Sequence, residues 1–155
     1  MIKQAQELVQ RHTPIPTLTA QLRANCFNAV LFIWGDQHEA QFVGPEEFVR
    51  AIQNHFLQIP LNDPMQTGDV TIIWSRTSDI LPTGHIQMDQ LKKDQPGYPF
   101  GLVIEHAFTY LDENQIFQKK DPSENGPYEI ISNDEAIQPY RTCNGFEITR
   151  HRRKS

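Results

Sequence analysis

The segment ANCFNAVLFIWG, residues 24–35, is the least polar stretch of the chain and constrains the fold most strongly. Within its apolar run only Asn28 is polar, so we expect the segment to be buried on all sides. Hydrophobic periodicity alone does not separate a buried helix from a buried strand. Asn25 is a favourable N-cap residue and Gly35 a natural C-terminal stop, and together they predict a central helix that begins at Cys26.

Length and composition indicate one globular domain over residues 1–155. The chain is 38% hydrophobic and 21% charged, with a formal net charge of −5. The acidic balance argues against a nucleic-acid partner. No apolar run approaches the ~18–20 residues that span a membrane. The N-terminal residues lack the apolar region of a secretory signal, which favours a cytoplasmic location or export by a non-classical route.

The order of the predicted elements is helices first and an antiparallel sheet afterwards, which is typical of the α+β class. We expect an N-terminal helix and linker over residues 1–17, and a loop-rich rim over residues 75–100. Further predicted elements are a helix over residues 44–56 and strands over residues 68–74, 102–111, 116–120, 128–132 and 145–149.

The chain ends in a run of basic residues, RHRRKS, over residues 150–155. Such a run can contact an anionic surface. The more favoured interpretation is a frayed, solvated tail, because terminal residues are poorly ordered unless other parts of the fold hold them.

Cysteine chemistry is the first candidate for function. The first turn of a helix has unpaired N–H groups and a partial positive charge, which lower the pKa of a thiol placed there. The same N–H groups can stabilise the oxyanion that forms when a thiolate attacks an amide. We therefore expect Cys26 to be reactive, with the alternative that it is a small buried hydrophobic residue. The only other cysteine is Cys143, which we interpret as structural.

A reactive cysteine needs a base, and His106 is the histidine that differs from the other five. It lies within the apolar strand VIEHAFTYL, and strand alternation places it on the same face as Phe108 and Tyr110. A histidine in this setting is either a hydrogen-bonded core residue or a positioned general base.

These motifs, in this order, resemble the papain-like NlpC-type cysteine peptidases and amidases. That family has a cysteine at the head of its central helix, then a Gly-Asp pair before an apolar strand, then a histidine that opens a strand of the form H-x-x-x-Y-L. The corresponding residues here are Cys26, Gly68, Asp69 and His106, and the resemblance covers residues 24 to about 121. It implies a papain-like α+β fold in which the cysteine-bearing helix packs on an antiparallel sheet.

The third polar residue of the family follows its histidine by about twelve positions, where this chain has Gln118. A glutamine carbonyl can accept the imidazole N–H. A three-residue hairpin turn would place Gln118 on the face of His106, whereas a two-residue turn would place Lys119 and Asp121 there. The resemblance favours Gln118 over these two alternatives.

The resemblance implies a cysteine hydrolase that acts on an amide or peptide bond, with cell-wall peptides as the family's usual substrates. Cys26 would attack as a thiolate, His106 would transfer the proton, and Gln118 would orient the imidazole, with no metal and no organic cofactor. Acyltransferases and deamidases share the fold. The alternative is a catalytically silent domain that serves as a binding module, because Ala20 stands where papain-like enzymes have their oxyanion glutamine and Gln21 is one residue nearer to the cysteine.

Overall fold

A computed structural model describes residues 1–11, 25–36, 43–76, 102–120, 128–142 and 146–155 of the chain. The predicted rim over residues 75–100 lies outside these ranges except for its first two residues. Ala20, Gln21, Asp121 and Cys143 lie wholly outside them. None of the helices in the described ranges is long and apolar enough to cross a membrane.

The described ranges contain four α-helices, six strands and one 3-10 turn. In chain order they are α1 (Ile2–Arg11), α2 (Cys26–Ile33), α3 (Pro45–His55), β1 (Phe56–Ile59), β2 (Val70–Arg76), β3 (Leu102–Asp112), β4 (Gln115–Lys119), β5 (Tyr128–Ser132), α4 (Asn133–Ile137), the 3-10 turn (Gln138–Tyr140) and β6 (Glu147–Arg153). The α+β class is confirmed, as are the helices and strands predicted from periodicity. β1 and α4 were not predicted.

All six strands form one antiparallel sheet in the order β1-β6-β2-β3-β4-β5. Helices α1, α2 and α3 cover one side, which we call the three-helix face, and it carries Ile72 of β2 and Ala107 of β3. Helix α4 and the 3-10 turn cover the other side, the α4 face, which carries Ile73 and Phe108. The central strands β2 and β4 and residues 106–109 of β3 are therefore buried on both faces, whereas edge strand β1 is partly exposed.

Helix α2 begins and ends where its capping residues predict. The Asn25 side chain accepts a hydrogen bond from the Asn28 backbone N–H at 3.0 Å and donates to the Val43 carbonyl at 2.6 Å. Gly35 follows the helix with φ of 77°, a left-handed conformation that glycine adopts without strain. Asn28, the one polar residue of the apolar run, accepts from the Tyr128 hydroxyl at 2.8 Å. The predicted buried helix is confirmed.

The basic C-terminus is not the frayed tail that composition favoured. Strand β6 extends to Arg153 and lies between β1 and β2, so it is an interior strand of the sheet. The Arg152 guanidinium binds the buried carboxylate of Asp69 at 2.7 Å, and Arg153 forms an ion pair with Asp36. The prediction was wrong because the acidic partners lie far away in sequence, where composition does not reveal them.

Candidate functional site

Cys26 is the first residue of α2, as predicted, and it packs on the three-helix face with Ile72 and Ala107. Burial raises the pKa of its thiol to about 12, and hydrogen bonds with the backbone of Ala107, Phe27 and Cys26 itself and the charge of Lys119 offset only part of this rise. The expectation of a low thiol pKa is therefore wrong. The helix N-terminus does favour the thiolate, but the loss of solvent around the sulfur is the larger effect.

His106 lies on the opposite side of the sheet from Cys26. In the ladder between β2 and β3, His106 pairs with Ile73 and Ala107 pairs with Ile72. Paired residues share a face and successive residues alternate, so His106 is on the α4 face while Cys26 contacts the three-helix face. The predicted arrangement of Cys26 and His106 as a nucleophile and its base does not form.

Gln118 is the residue that binds His106, as the resemblance predicted. The Gln118 Oε1 atom lies 2.7 Å from the His106 Nε2 atom. The hairpin turn itself has two residues, Glu113 and Asn114, both with positive φ. A bulge at Leu111 then restores the register that a three-residue turn would give, because Tyr110 pairs with Ile116.

The two alternatives to Gln118 have different outcomes. Lys119 is buried and points away from the α4 face, because it alternates with Gln118 along β4, and its charge acts on Cys26. It is therefore not a partner of His106. Asp121 lies outside the described residues.

The hydrogen bonds around Gln118 define the protonation of His106. The Gln118 amide nitrogen donates to a Glu129 carboxylate oxygen at 2.6 Å, so its carbonyl oxygen is the atom that faces the imidazole. His106 must then donate from Nε2, and Nδ1 of the neutral ring carries a lone pair. Burial lowers the pKa of His106 to about 4, while the bond to Gln118 raises it by less, so the ring is neutral near pH 7.

An open cavity of about 360 Å³ adjoins this hydrogen-bonded group on the α4 face. Its lining consists of His106, Gln118, Lys120, Glu129, Ile131, Glu135, Ala136, Pro139 and Tyr140. The Tyr140 ring stacks on the His106 imidazole, with centroids 5.2 Å apart and an interplanar angle of 12°. Within the described ranges, no three His, Cys, Asp or Glu side chains are placed to hold a metal ion.

Glu129 and Tyr140 are cavity residues that sequence reasoning missed. Glu129 pairs directly with Gln118 in the ladder between β4 and β5. Strand alternation in YEIIS places Glu129 and Ile131 on one face, so the periodicity contains a signal for this carboxylate. Tyr140 lies in the 3-10 turn, and no local pattern predicts its stacking on a histidine 34 positions earlier.

No protein-family model matches the chain, and neither a curated protein nor a solved structure is significantly similar to it.

Proposed function

We propose that this chain is a catalytically silent domain with an NlpC-type fold, and that it binds a ligand in the His106 cavity. Support for the fold comes from the order of its elements. Cys26 begins a buried helix, Gly68 and Asp69 precede β2, and His106 in β3 binds a polar side chain of the returning strand β4. This order and this contact are those that the family resemblance implies.

The observation that carries the proposal is the position of His106 relative to Cys26. Hydrolysis of an amide by the pair requires the imidazole to take a proton from the thiol, which in turn requires hydrogen-bond distance between them. Here the sheet separates the two side chains, and the thiol pKa of about 12 keeps Cys26 protonated. Acyltransferases and deamidases of this fold depend on the same thiolate, so the same geometry argues against them.

The cavity has the properties of a binding site that is formed before its ligand arrives. His106 and Gln118 are only 2% and 4% exposed, and their hydrogen bonds fix both side chains at the cavity wall. Small-molecule sites combine apolar walls with a few fixed polar groups, and their volumes begin near 300 Å³. The resemblance makes peptides and amides, cell-wall peptides among them, the first ligands to test for binding without cleavage.

Ligand-observed NMR on a mixture of small amides, amines and short peptides tests the proposal. Ile131 lines the cavity on edge strand β5, so Ile131→Trp should fill the cavity while it keeps a residue suited to a strand. Ile130→Trp is the matched control, because Ile130 packs on the three-helix face. We expect binding that Ile131→Trp abolishes and Ile130→Trp preserves. Cleavage of a peptide by the parent, lost in Cys26→Ser, would overturn the proposal, as would an absence of binding.

A further inference from the structure

Strand β5 is an edge strand of the sheet and has one free side. It pairs with β4 along one side, and no other strand in the described ranges pairs with its other side. Its residues from Glu129 to Ser132 are partly exposed. An edge strand presents a row of backbone N–H and C=O groups that can pair with another chain, so the free side of β5 is a candidate interaction surface.

Hydrogen bonds near the end of β3 show which way its backbone groups point. The Tyr110 N–H donates to the Asp69 carbonyl at 2.8 Å, and the Tyr110 carbonyl accepts from the Gly68 N–H at 2.8 Å, so both groups point toward β2. Backbone groups of successive residues in a strand point to opposite sides, so those of Thr109 point toward β4. Thr109 pairs with Phe117, and these two residues therefore exchange both of their hydrogen bonds.

The same alternation, followed across β4, identifies Ile130 as a residue whose backbone faces the free side of β5. Gln118 follows Phe117, so its backbone groups point toward β5, where it pairs with Glu129. Ile130 follows Glu129, so its N–H and its carbonyl point away from β4. Within the described ranges no backbone group binds either of them. Ile130 therefore offers one donor and one acceptor to a strand that lies alongside.

The His106 cavity is lined in part by this edge strand. The side chains of Glu129 and Ile131 contribute to its wall, whereas the side chain of Ile130 packs on the three-helix face. Side chains that lie opposite one another across an antiparallel pair share a face of the sheet. A strand bonded to the backbone of Ile130 would therefore direct its two flanking side chains, opposite Glu129 and Ile131, to the cavity side of the sheet.

We propose that β5 binds an extended peptide as an added antiparallel strand. One peptide residue exchanges two hydrogen bonds with the Ile130 backbone, and the next residue places an apolar side chain in the His106 cavity beside Ile131. This inference rests on the binding function proposed above and names the class of ligand and its mode of binding. In this mode the backbone bonds supply affinity, and pockets for alternate side chains supply specificity. Ile131, Ala136 and Pro139 form the apolar part of the pocket.

Charge favours a peptide over a second copy of the chain at this edge. Each copy has a formal net charge of −5, and pairing two β5 strands would bring Glu129 of both copies to the same interface. Like charges on paired strands are destabilising. A short peptide without acidic residues avoids this repulsion and leaves the backbone bonds to Ile130 unchanged.

NMR titration of the full chain with the peptide acetyl-Thr-Val-Thr-Val-Thr-amide tests the proposal. Valine and threonine favour an extended backbone, and their alternation lets both valines face the cavity while the central threonine pairs with Ile130. We expect the Ile130 amide proton to exchange at least roughly tenfold more slowly with solvent when the peptide saturates the chain. An Ile130 amide that is already protected in the free chain, or that the peptide leaves unchanged, would overturn the inference.

Singly N-methylated versions of the peptide test the strand pairing itself. Methylation of the central threonine removes the N–H that donates to the Ile130 carbonyl, so affinity should fall roughly tenfold or more. Methylation of either valine is the matched control, because its N–H points away from β5, and affinity should change less than about threefold. Equal losses from the two kinds of methylation would contradict the pairing.

Ile131→Trp and sedimentation equilibrium distinguish the other outcomes. Ile131→Trp fills the cavity, so the peptide should no longer slow the exchange of the Ile130 amide. If small amides bind in a manner that depends on Ile131 and the peptide leaves Ile130 unprotected, this inference fails and the proposed function stands. If nothing binds, both fail. A dimer that protects the Ile130 amide without any peptide would assign the edge to a second copy and overturn the inference.

Discussion

Cys26 should react slowly with alkylating reagents even though it is the first residue of a helix. The relevant perturbation is the transfer of its thiol from water to the packed side of the sheet, where only 9% of the residue is exposed. Burial raises the thiol pKa to about 12, against about 8.5 for a free cysteine. Because the thiolate is the nucleophile, the rate of alkylation should follow this rise.

Two opposing contributions determine how much more slowly Cys26 is alkylated than a free cysteine: the smaller ionised fraction and the greater nucleophilicity of its thiolate. At pH 8 a free thiol is about one quarter ionised, whereas a thiol of pKa about 12 is ionised in roughly one molecule in ten thousand, a few thousandfold less. A more basic thiolate is also more nucleophilic. With a Brønsted coefficient of about 0.4–0.5, a pKa higher by ~3.5 units makes each thiolate roughly 30–60 times more reactive, which offsets part of the loss in ionised fraction. The net expectation is alkylation about 50–100-fold slower than that of free cysteine, and slower still where packing blocks the reagent.

The assay is iodoacetamide labelling at pH 8, followed by mass spectrometry, with N-acetylcysteine as the reference. The Cys143→Ser substitution leaves Cys26 as the one cysteine that iodoacetamide can label. His106→Ala in the same background should leave the rate unchanged, because the sheet separates the two residues. Labelling as fast as the reference would contradict the burial of the thiol, and a rate that falls when His106 is removed would contradict the separation of the two residues.

Three further predictions concern stability. Because burial lowers the pKa of both His106 and His151 to about 4, the unfolded chain binds protons that the folded chain does not, and stability should fall between about pH 6.5 and pH 4. Each histidine can account for at most about 3 kcal/mol of the unfolding free energy lost over this pH range. The urea midpoint of His151→Gln should therefore fall less than that of the parent as the pH is lowered, and an equal fall would contradict this. Gly68→Ala should destabilise by roughly 1–3 kcal/mol in thermal melts, because φ is 94° and an added Cβ would overlap the indole ring of Trp34. Gly35→Ala is its control, since φ there is 77° but a Cβ meets nothing within 4 Å, and equal losses would argue against the close approach. Truncation after Thr149 should abolish cooperative melting, because it removes the residues of β6 that pair with β1, and a parent-like melt would contradict the interior position of that strand.

Local patterns predicted most of the secondary structure but not the contact between His106 and Gln118. Capping residues defined α2, and strand alternation placed His106 on the same face as Phe108, whose ring centroid lies 6.1 Å from that of the imidazole. The contact between His106 and Gln118 was favoured by the resemblance, but the turn alone would have given the wrong register. The bulge at Leu111 corrects it, and a bulge that follows a two-residue turn has no distinct signature among apolar residues.

The face on which α2 packs could not be predicted. Alternation shows which residues of β3 share a face, but Ala107 and Phe108 are both apolar, so the pattern does not indicate which face receives Cys26. The short helix α4 covers the second face, and its five residues are too few for a periodic signal.

The separation of Cys26 from His106 is tested most directly by a pH titration of the His106 imidazole, monitored through its ¹⁵N chemical shifts in the parent and in Cys26→Ala. We expect a neutral ring protonated on Nε2 near pH 7, with a pKa of about 4, because burial disfavours the cation and Gln118 accepts a hydrogen bond from the Nε2 proton. Cys26→Ala should leave both the tautomer and the pKa unchanged. A protonated imidazolium that persists above pH 7 in the parent and is lost in Cys26→Ala would show a thiolate–imidazolium pair, and would contradict the separation of Cys26 from His106.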